Sequence, residues 1–404
     1  MDKPDTPTRR VRRPLVVLAV LATVVTMMLV GRVVWVATVP PPDHAMAQLR
    51  YLDDALNQGA AGSMQGLFPE GEFFLWTLTG VAAARVANNP AYTPDERSFG
   101  RDLAHRALQA IDDPAVSSRF GEVPALEHGI FYRGWRLTLI NEIAHWDEQA
   151  RTRATKEAQK ILAAVDASTT GWVDSYPGQA WPCDGVVGLA AAAMADPVGS
   201  QPIIERWMGR IVGAIDPATG LLAHSVDQKG YAREPIRGSS QSIIATFWPH
   251  LSADPTYWET YTNTLITTRL GMVGALEHTD GNTWADVDSG PLIFGLSPSA
   301  SAVTQAAARA HGDLELAQTL NREIEFLGFP WQYAGKRSYF FGTVPVATAF
   351  FVWADTTPVG TPMSSTAPHP SWVTVIAILC LPTAVMWVVV LIFRRRSNPQ
   401  PFDP

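Results

Sequence analysis

Cysteine is almost absent: the 404 residues hold two, Cys183 and Cys380. A disulfide framework is excluded, and any domain must be held by its apolar core. Positive charge is not in excess either. Lys and Arg number 31 against 38 Asp and Glu, a net charge of −7, so the electrostatic footprint of a nucleic-acid binder is missing. Gly and Pro, 30 and 31, are too few for a collagen-like or disordered chain when 47% of residues are hydrophobic. The chain has no H-E-x-x-H, no Cys/His cluster, no EF-hand loop, no P-loop and no G-x-S-x-G elbow. No metal and no cofactor are therefore expected.

Two long apolar runs are present, one near each end. Residues 15–30 are apolar apart from Thr23 and Thr26, and Arg9, Arg10, Arg12 and Arg13 precede them. Residues 372–393 carry no charge, and Arg394, Arg395 and Arg396 follow at once. About 17–25 apolar residues cross a bilayer as a helix, and cationic flanks stay on the cytoplasmic side. The pattern predicts a cytoplasmic tail (1–13), a membrane helix (14–39), an extracytoplasmic domain (40–355), a Pro/Ser/Thr-rich linker (356–371), a second membrane helix (372–393) and a cytoplasmic tail (394–404). The lipid bilayer is then the one certain partner of this reading. A cleaved signal peptide is the rival for the first run, but the run is long and no A-x-A site follows it. Outside the tails and Arg32 lie 22 Lys and Arg against 35 Asp and Glu, so the outer domain carries −13 and gains no charge attraction to anionic lipid.

The outer domain reads as all-α. Helices that are apolar on every side start near Glu72, Tyr132, Asp184, Ser239, Gly290 and Gly342, at intervals of 60, 52, 55, 51 and 52 residues. Such helices are buried, and a steady period signals a repeat architecture. Amphipathic helices are expected between them, near 43–58, 94–112, 152–166, 200–215, 255–270 and 313–327. Six buried helices alternating with six amphipathic ones predict an (α/α)6 toroid. An open superhelix of helical hairpins would carry the same period.

Connections from buried to amphipathic helices are short, and the returning ones are long and rich in Gly, Pro, Trp, Asp and Tyr. Long, chemically rich loops on a rigid scaffold carry function, so the site is expected where they enter the buried helices. The candidates follow that rule. Glu72 stands at the first entry beside Glu70. Tyr132, Arg133 and Trp135 stand at the second, after His128. Asp174, Tyr176, Trp181, Cys183 and Asp184 lead into the third. Arg237, Ser239 and Ser240 open the fourth. Trp284, Asp286 and Asp288 lie before the fifth, after Glu277 and His278. The last entry, residues 336–342, brings Tyr339, Phe340 and Phe341.

Paired carboxylates are the acid/base equipment of glycosidases, which makes Asp184, Asp286, Asp288 and Glu72 catalytic candidates. Cys183 joins them because a helix N-terminus lowers a thiol's pKa. Tyr132, Arg133, Trp135, Asp174, Tyr176, Trp181, Arg237, Ser239 and Trp284 are the substrate-binding candidates. Several also have structural readings, Glu72 and Ser239 as helix caps and Trp135 as core.

The six-repeat pattern resembles the (α/α)6 barrels of glycoside hydrolases, polysaccharide lyases and sugar epimerases. Two stretches are similar to the linalool dehydratase/isomerase family: Tyr132-Arg-Gly-Trp135 and Cys183-Asp184, each opening a buried helix. The resemblance implies a toroid, a catalytic role for Cys183 followed by an acidic residue, and cofactor-free chemistry on small isoprenoid alcohols. The chain departs from that family where Trp135 replaces a histidine and where no second cysteine follows along the Cys183 helix. The expected function is therefore an envelope enzyme acting on a glycan or glycolipid through carboxylates. The alternatives are a lyase or isomerase on an isoprenoid or lipid alcohol, and a non-catalytic binding or assembly subunit of an envelope complex.

Overall fold

The computed structural model describes residues 7–395. The ends of the predicted tails, 1–6 and 396–404, lie outside the described residues, as do the side chains of the flanking arginines. The chain divides into two compact units. One is made of the two terminal helices with the turn Thr268–Met272, and the other of Pro42–Thr267 with Val273–Pro368.

In the first unit, α1 (Pro7–Thr38) packs on the last helix of the chain, Trp372–Arg395. Pro14–Thr38 and Trp372–Phe393 are long and apolar enough to cross a membrane, with mean hydropathy 2.5 and 2.8. Apolar side chains such as Val17, Leu21, Met28, Val373 and Leu381 are exposed. The two helices are joined by polar groups. Thr26 and Thr383 share a 2.7 Å hydrogen bond, and the Trp387 indole donates to Thr23 at 2.9 Å.

The second unit is mostly helical. In chain order it contains α2 (Ala45–Asn57), α3 (Ala60–Leu67), α4 (Gly71–Asn88), α5 (Pro94–Ile111), α6 (Pro114–Ser117), α7 (Gly129–Ile143), α8 (Glu148–Ala167), α9 (Pro182–Ala195), α10 (Pro197–Arg210), α11 (Gly238–Phe247), α12 (Thr256–Leu265), α13 (Pro298–His311), α14 (Leu314–Leu327) and α15 (Pro345–Thr356). The terminal helix Trp372–Arg395 is α16.

Four of the amphipathic helices start on clear signals. Thr93 and Glu96 form a capping box for α5, Asp147 caps α8, Asp196 caps α10 and Asp313 caps α14. The apolar helices differ. α4, α7, α9, α11 and α15 have no side-chain cap of their own at the N-terminus, and of this set only α13 has one, from Ser297. α4 packs on α7, α7 on α9, α9 on α11, α11 on α13, α13 on α15, and α15 on α4. The amphipathic helices pack outside this series, α5 on α4 and α7, α8 on α7 and α9, α14 on α13.

The apolar helices approach closely because small residues line them. A Cβ added to Gly134 would come within 2.8 Å of Gly188, so glycine on both helices sets the α7–α9 distance. Aromatic side chains fill the space between α4, α7, α11 and α15. Trp135 lies 5.3 Å from Phe74, 5.4 Å from Phe247 and 5.9 Å from Trp353, ring centre to ring centre.

Three features differ from the sequence reading. The fifth apolar helix starts at Pro298 instead of Gly290, because residues 286–297 are bonded into turns. Asp286 accepts from the Asp288 and Ser289 N–H groups, and Gly290 takes a positive φ of 64°. The long loops contain antiparallel hairpins in a domain expected to be all-α: β1 (Ser225–Val226) with β2 (Ala232–Glu234), β3 (Ile266–Arg269) with β4 (Met272–Ala275), and β5 (Trp331–Tyr333) with β6 (Lys336–Ser338). The linker is not a free stalk over its first part. Gly360 and Met363 donate to the backbone of Arg309 and Gly312, and Ser365 to Asp313.

Candidate active site

The long loops bring side chains from four helix entries into one electrostatic cluster. Asp184 is the centre. It sits in the first turn of α9, where Pro182 at the first helical position fixes the start, and it is 7% exposed. Burial pushes its carboxyl up to about 7. The Ser175 hydroxyl and Cys183 thiol pull the other way, and the charges of Glu70 and Asp288 push it further up. Asp288 reaches the same cluster from the loop before α13. The residue is solvent-exposed, and partial desolvation by neighbouring groups, with Asp286 adding like charge, raises it to about 6. Glu70 comes from the entry to α4 and accepts a 2.5 Å hydrogen bond from the Tyr176 hydroxyl. Burial and Glu70 together push the Tyr176 phenol far above its ordinary range. Trp181 stands edge-on to Tyr176 at 5.6 Å.

A second group is built around Arg237, at the start of α11. Its Nε donates to Glu277 at 2.7 Å, and its terminal nitrogen pairs with Asp286 at 2.7 Å. Glu277 is fully buried. It also accepts the Ser239 N–H at 3.0 Å and the Ser239 hydroxyl at 2.8 Å, so it caps α11 from a distant loop. Trp284 covers the guanidinium at 5.2 Å. Burial pushes Asp286 up, but the Ser289 N–H and Arg237 outweigh it and hold this carboxyl below its ordinary value.

Cys183 and His224 link the two groups. The Cys183 thiol lies 3.7 Å from Asp184 Oδ1. Burial, with Asp184 and Asp288 adding charge, pushes the thiol well above its ordinary value. That reverses the expectation of a helix-activated thiolate, because two carboxyls and a dry setting outweigh the helix terminus. His224 Nδ1 is 2.5 Å from the Ser240 hydroxyl. Burial and then Arg237 lower His224 to about 4, so it is neutral at pH 7. Both cysteines are free thiols.

Other candidates lie apart from this cluster. Glu72 is paired with Arg119 at 2.6 Å. Its neighbour Glu70 is the residue that faces Tyr176. Tyr132 donates to the Ile111 carbonyl, Arg133 is held between Glu127 and Glu157, and Trp135 is 1% exposed among the aromatic rings. These three serve the core, because α5, α8 and the aromatic rings of α4, α11 and α15 supply their partners. Asp174 accepts from Gly178 N–H inside a turn at 2.9 Å. Tyr339, from the last entry, is buried and donates to Glu325. Among the described residues no group of three or more His, Cys, Asp or Glu gathers as a metal site. His224 and Ser175 were not singled out from the sequence, and Ser240 and Glu277 stood among the entry residues without an assigned role. Ser175 adjoins Asp174, whereas His224 stands alone before a two-residue strand and has no motif around it. No family model and no curated protein matches the chain.

Proposed function

We propose that the chain is a two-pass membrane protein with both termini cytoplasmic and an extracytoplasmic (α/α)6 toroid, and that the toroid is an acid–base enzyme acting on a neutral envelope glycan or glycolipid. The closed series of contacts from α4 through α15 back to α4 supports the toroid. The cationic flanks of the two apolar helices support the orientation.

One observation carries the chemistry: two carboxyls, the buried Asp184 near 7 and the solvent-exposed Asp288 near 6, act on each other within one cluster. Groups poised near neutrality, with the higher one able to donate and the lower one ionised, are how acid and base roles are divided. Asp184 protonates the leaving oxygen. Asp288 activates water or attacks the sugar carbon. Tyr176 and Trp181 supply aromatic surface beside Asp184. Arg237 is consumed by Glu277 and Asp286, so it is not an anion pocket, and the remaining charges are acidic. The substrate is therefore neutral.

The test is a screen of the detergent-solubilised full chain against neutral cell-wall oligosaccharides, with Asp184→Asn and Asp288→Asn as controls. Turnover lost in both variants is expected. No turnover and no binding of any neutral glycan would overturn the reading.

The Cys183 thiol against Asp184 favours one second reading, a lyase or isomerase on an isoprenoid alcohol, like the family the Cys183-Asp184 pair resembles. There the neutral thiol would assist Asp184 in expelling water. Cys183→Ala separates the two. Glycan turnover should persist at a reduced rate, because the acid loses only a hydrogen-bond partner, whereas complete loss of activity on a prenyl alcohol would replace the first reading.

A further inference from the structure

Two close pairs of side chains lie between Arg237 and Asp184. Arg237 approaches His224 Nε2 at 3.5 Å and His224 Nδ1 meets the Ser240 hydroxyl at 2.5 Å, while the Cys183 thiol lies 3.7 Å from Asp184 Oδ1; the Ser240 hydroxyl acts on that thiol as a donor and so connects the pairs. His224, Ser240, Cys183 and Asp184 are each under a tenth exposed, so bulk water does not interrupt the line.

Its direction follows from donor chemistry. A guanidinium only donates, so His224 Nε2 accepts. A neutral imidazole then carries its proton on Nδ1 and donates it to Ser240. The Ser240 proton is left to point at Cys183, and the Cys183 proton at Asp184. Glu234 does not compete for Nε2. It is 3.9 Å away, beyond hydrogen-bond reach, and accepts instead from Ser225 at 2.7 Å.

We propose that His224, Ser240 and Cys183 form a one-way hydrogen-bond relay from Arg237 to Asp184, in which His224 and Ser240 are positioning residues that hold Cys183 as a thiol donor aimed at the acid. The proposal rests on the reading of Asp184 as the acid. Aligned hydrogen bonds polarise one another, so each member strengthens the S–H donation at the end. Cys183 is thereby a partner of the acid and not a nucleophile.

The S–H stretching band tests this without substrate, so a failed glycan screen and a failed relay are separate results. In the full chain carrying Cys380→Ala, Cys183 gives the only thiol band. It is expected at the lower wavenumber of a hydrogen-bonded thiol. Asp184→Ala, which removes the acceptor, and Ser240→Ala and His224→Phe should each move it upward. Ser240→Thr and His224→Asn, which restore a hydroxyl and an N–H at the Nδ1 position, should move it back. A band at the free-thiol position, or one that Ser240→Ala and His224→Phe leave unmoved, overturns the relay. So does a band that the conservative pair fails to restore.

Discussion

Asp184→Asn is expected to make the helical domain more stable in alkaline buffer while abolishing the proposed activity. Burial moves this carboxyl from 3.8 to about 7, so the folded chain binds the proton more tightly than the unfolded one. Below 3.8 both states are protonated and nothing is lost. As pH rises from there, the unfolded chain releases the proton first, and stability falls until the folded group ionises near 7. Each pH unit in that interval is worth about 1.4 kcal/mol. The ionised form therefore costs roughly 4 kcal/mol at pH 8 and under about 2 kcal/mol at pH 5. Asparagine stays neutral throughout and keeps an acceptor for Ser175 and Cys183, but buries an amide N–H pair that lacks a designed partner. That reduces the expected gain at pH 8 to about 2–3 kcal/mol. Urea unfolding of both proteins in detergent, at pH 8 and pH 5, reads the difference. His224 and His311, held near 4, also shift stability below about pH 6.5, but they cancel between variant and parent. The reasoning is refuted if the variant is less stable at pH 8, or if the gap is the same at both pH values.

Replacing Arg237 by Met strands the fully buried Glu277 and should cost about 3–5 kcal/mol. The double variant Arg237→Met/Glu277→Gln should recover most of that in a thermal melt, and no recovery would show that the pair is not coupled. Trp135→Ala should cost about 3–5 kcal/mol by opening the aromatic core, while the folded fraction binds oligosaccharide as before. Weakened binding at full folding would return Trp135 to the site. Protease added to intact spheroplasts should digest residues 40–371 and spare both tails, whereas cleaved tails beside an intact domain would reverse the proposed orientation.

Much of the helical order was legible because burial writes itself into composition. α4 and α9 are apolar on every side, and a helix of that kind has no solvent face. Five of the six apolar helices begin within three residues of the expected positions. The caps Thr93, Asp147, Asp196 and Asp313 mark the amphipathic set. The hairpins were not legible, since strands of two to four residues are too short for alternation to register. The late start of α13 has a similar cause. Gly290-Pro291 looks like a helix entry, and only the bonds from Asp286 to the next residues show that the chain turns there instead.

The site was legible by residue type and illegible by partner, and partner decides role. Glu70 and Glu72 are the same residue two positions apart at one helix entry. Glu72 meets Arg119 and is neutralised, while Glu70 meets Tyr176 and charges the cluster. Arg133 and Arg237 both open apolar helices, yet one ties α7 to α8 through Glu157 and the other ties α11 to a loop 40 residues away through Glu277. Asp286 and Asp288 were both catalytic candidates as carboxylates before the fifth helix entry. The structure separates them, because the Ser289 N–H and Arg237 hold Asp286 down while partial desolvation and the Asp286 charge leave the exposed Asp288 raised. None of these choices is encoded locally. Each depends on which loop the fold delivers to which helix terminus, and that is why the proposed acid–base roles of Asp184 and Asp288 rest on the placement of the loops.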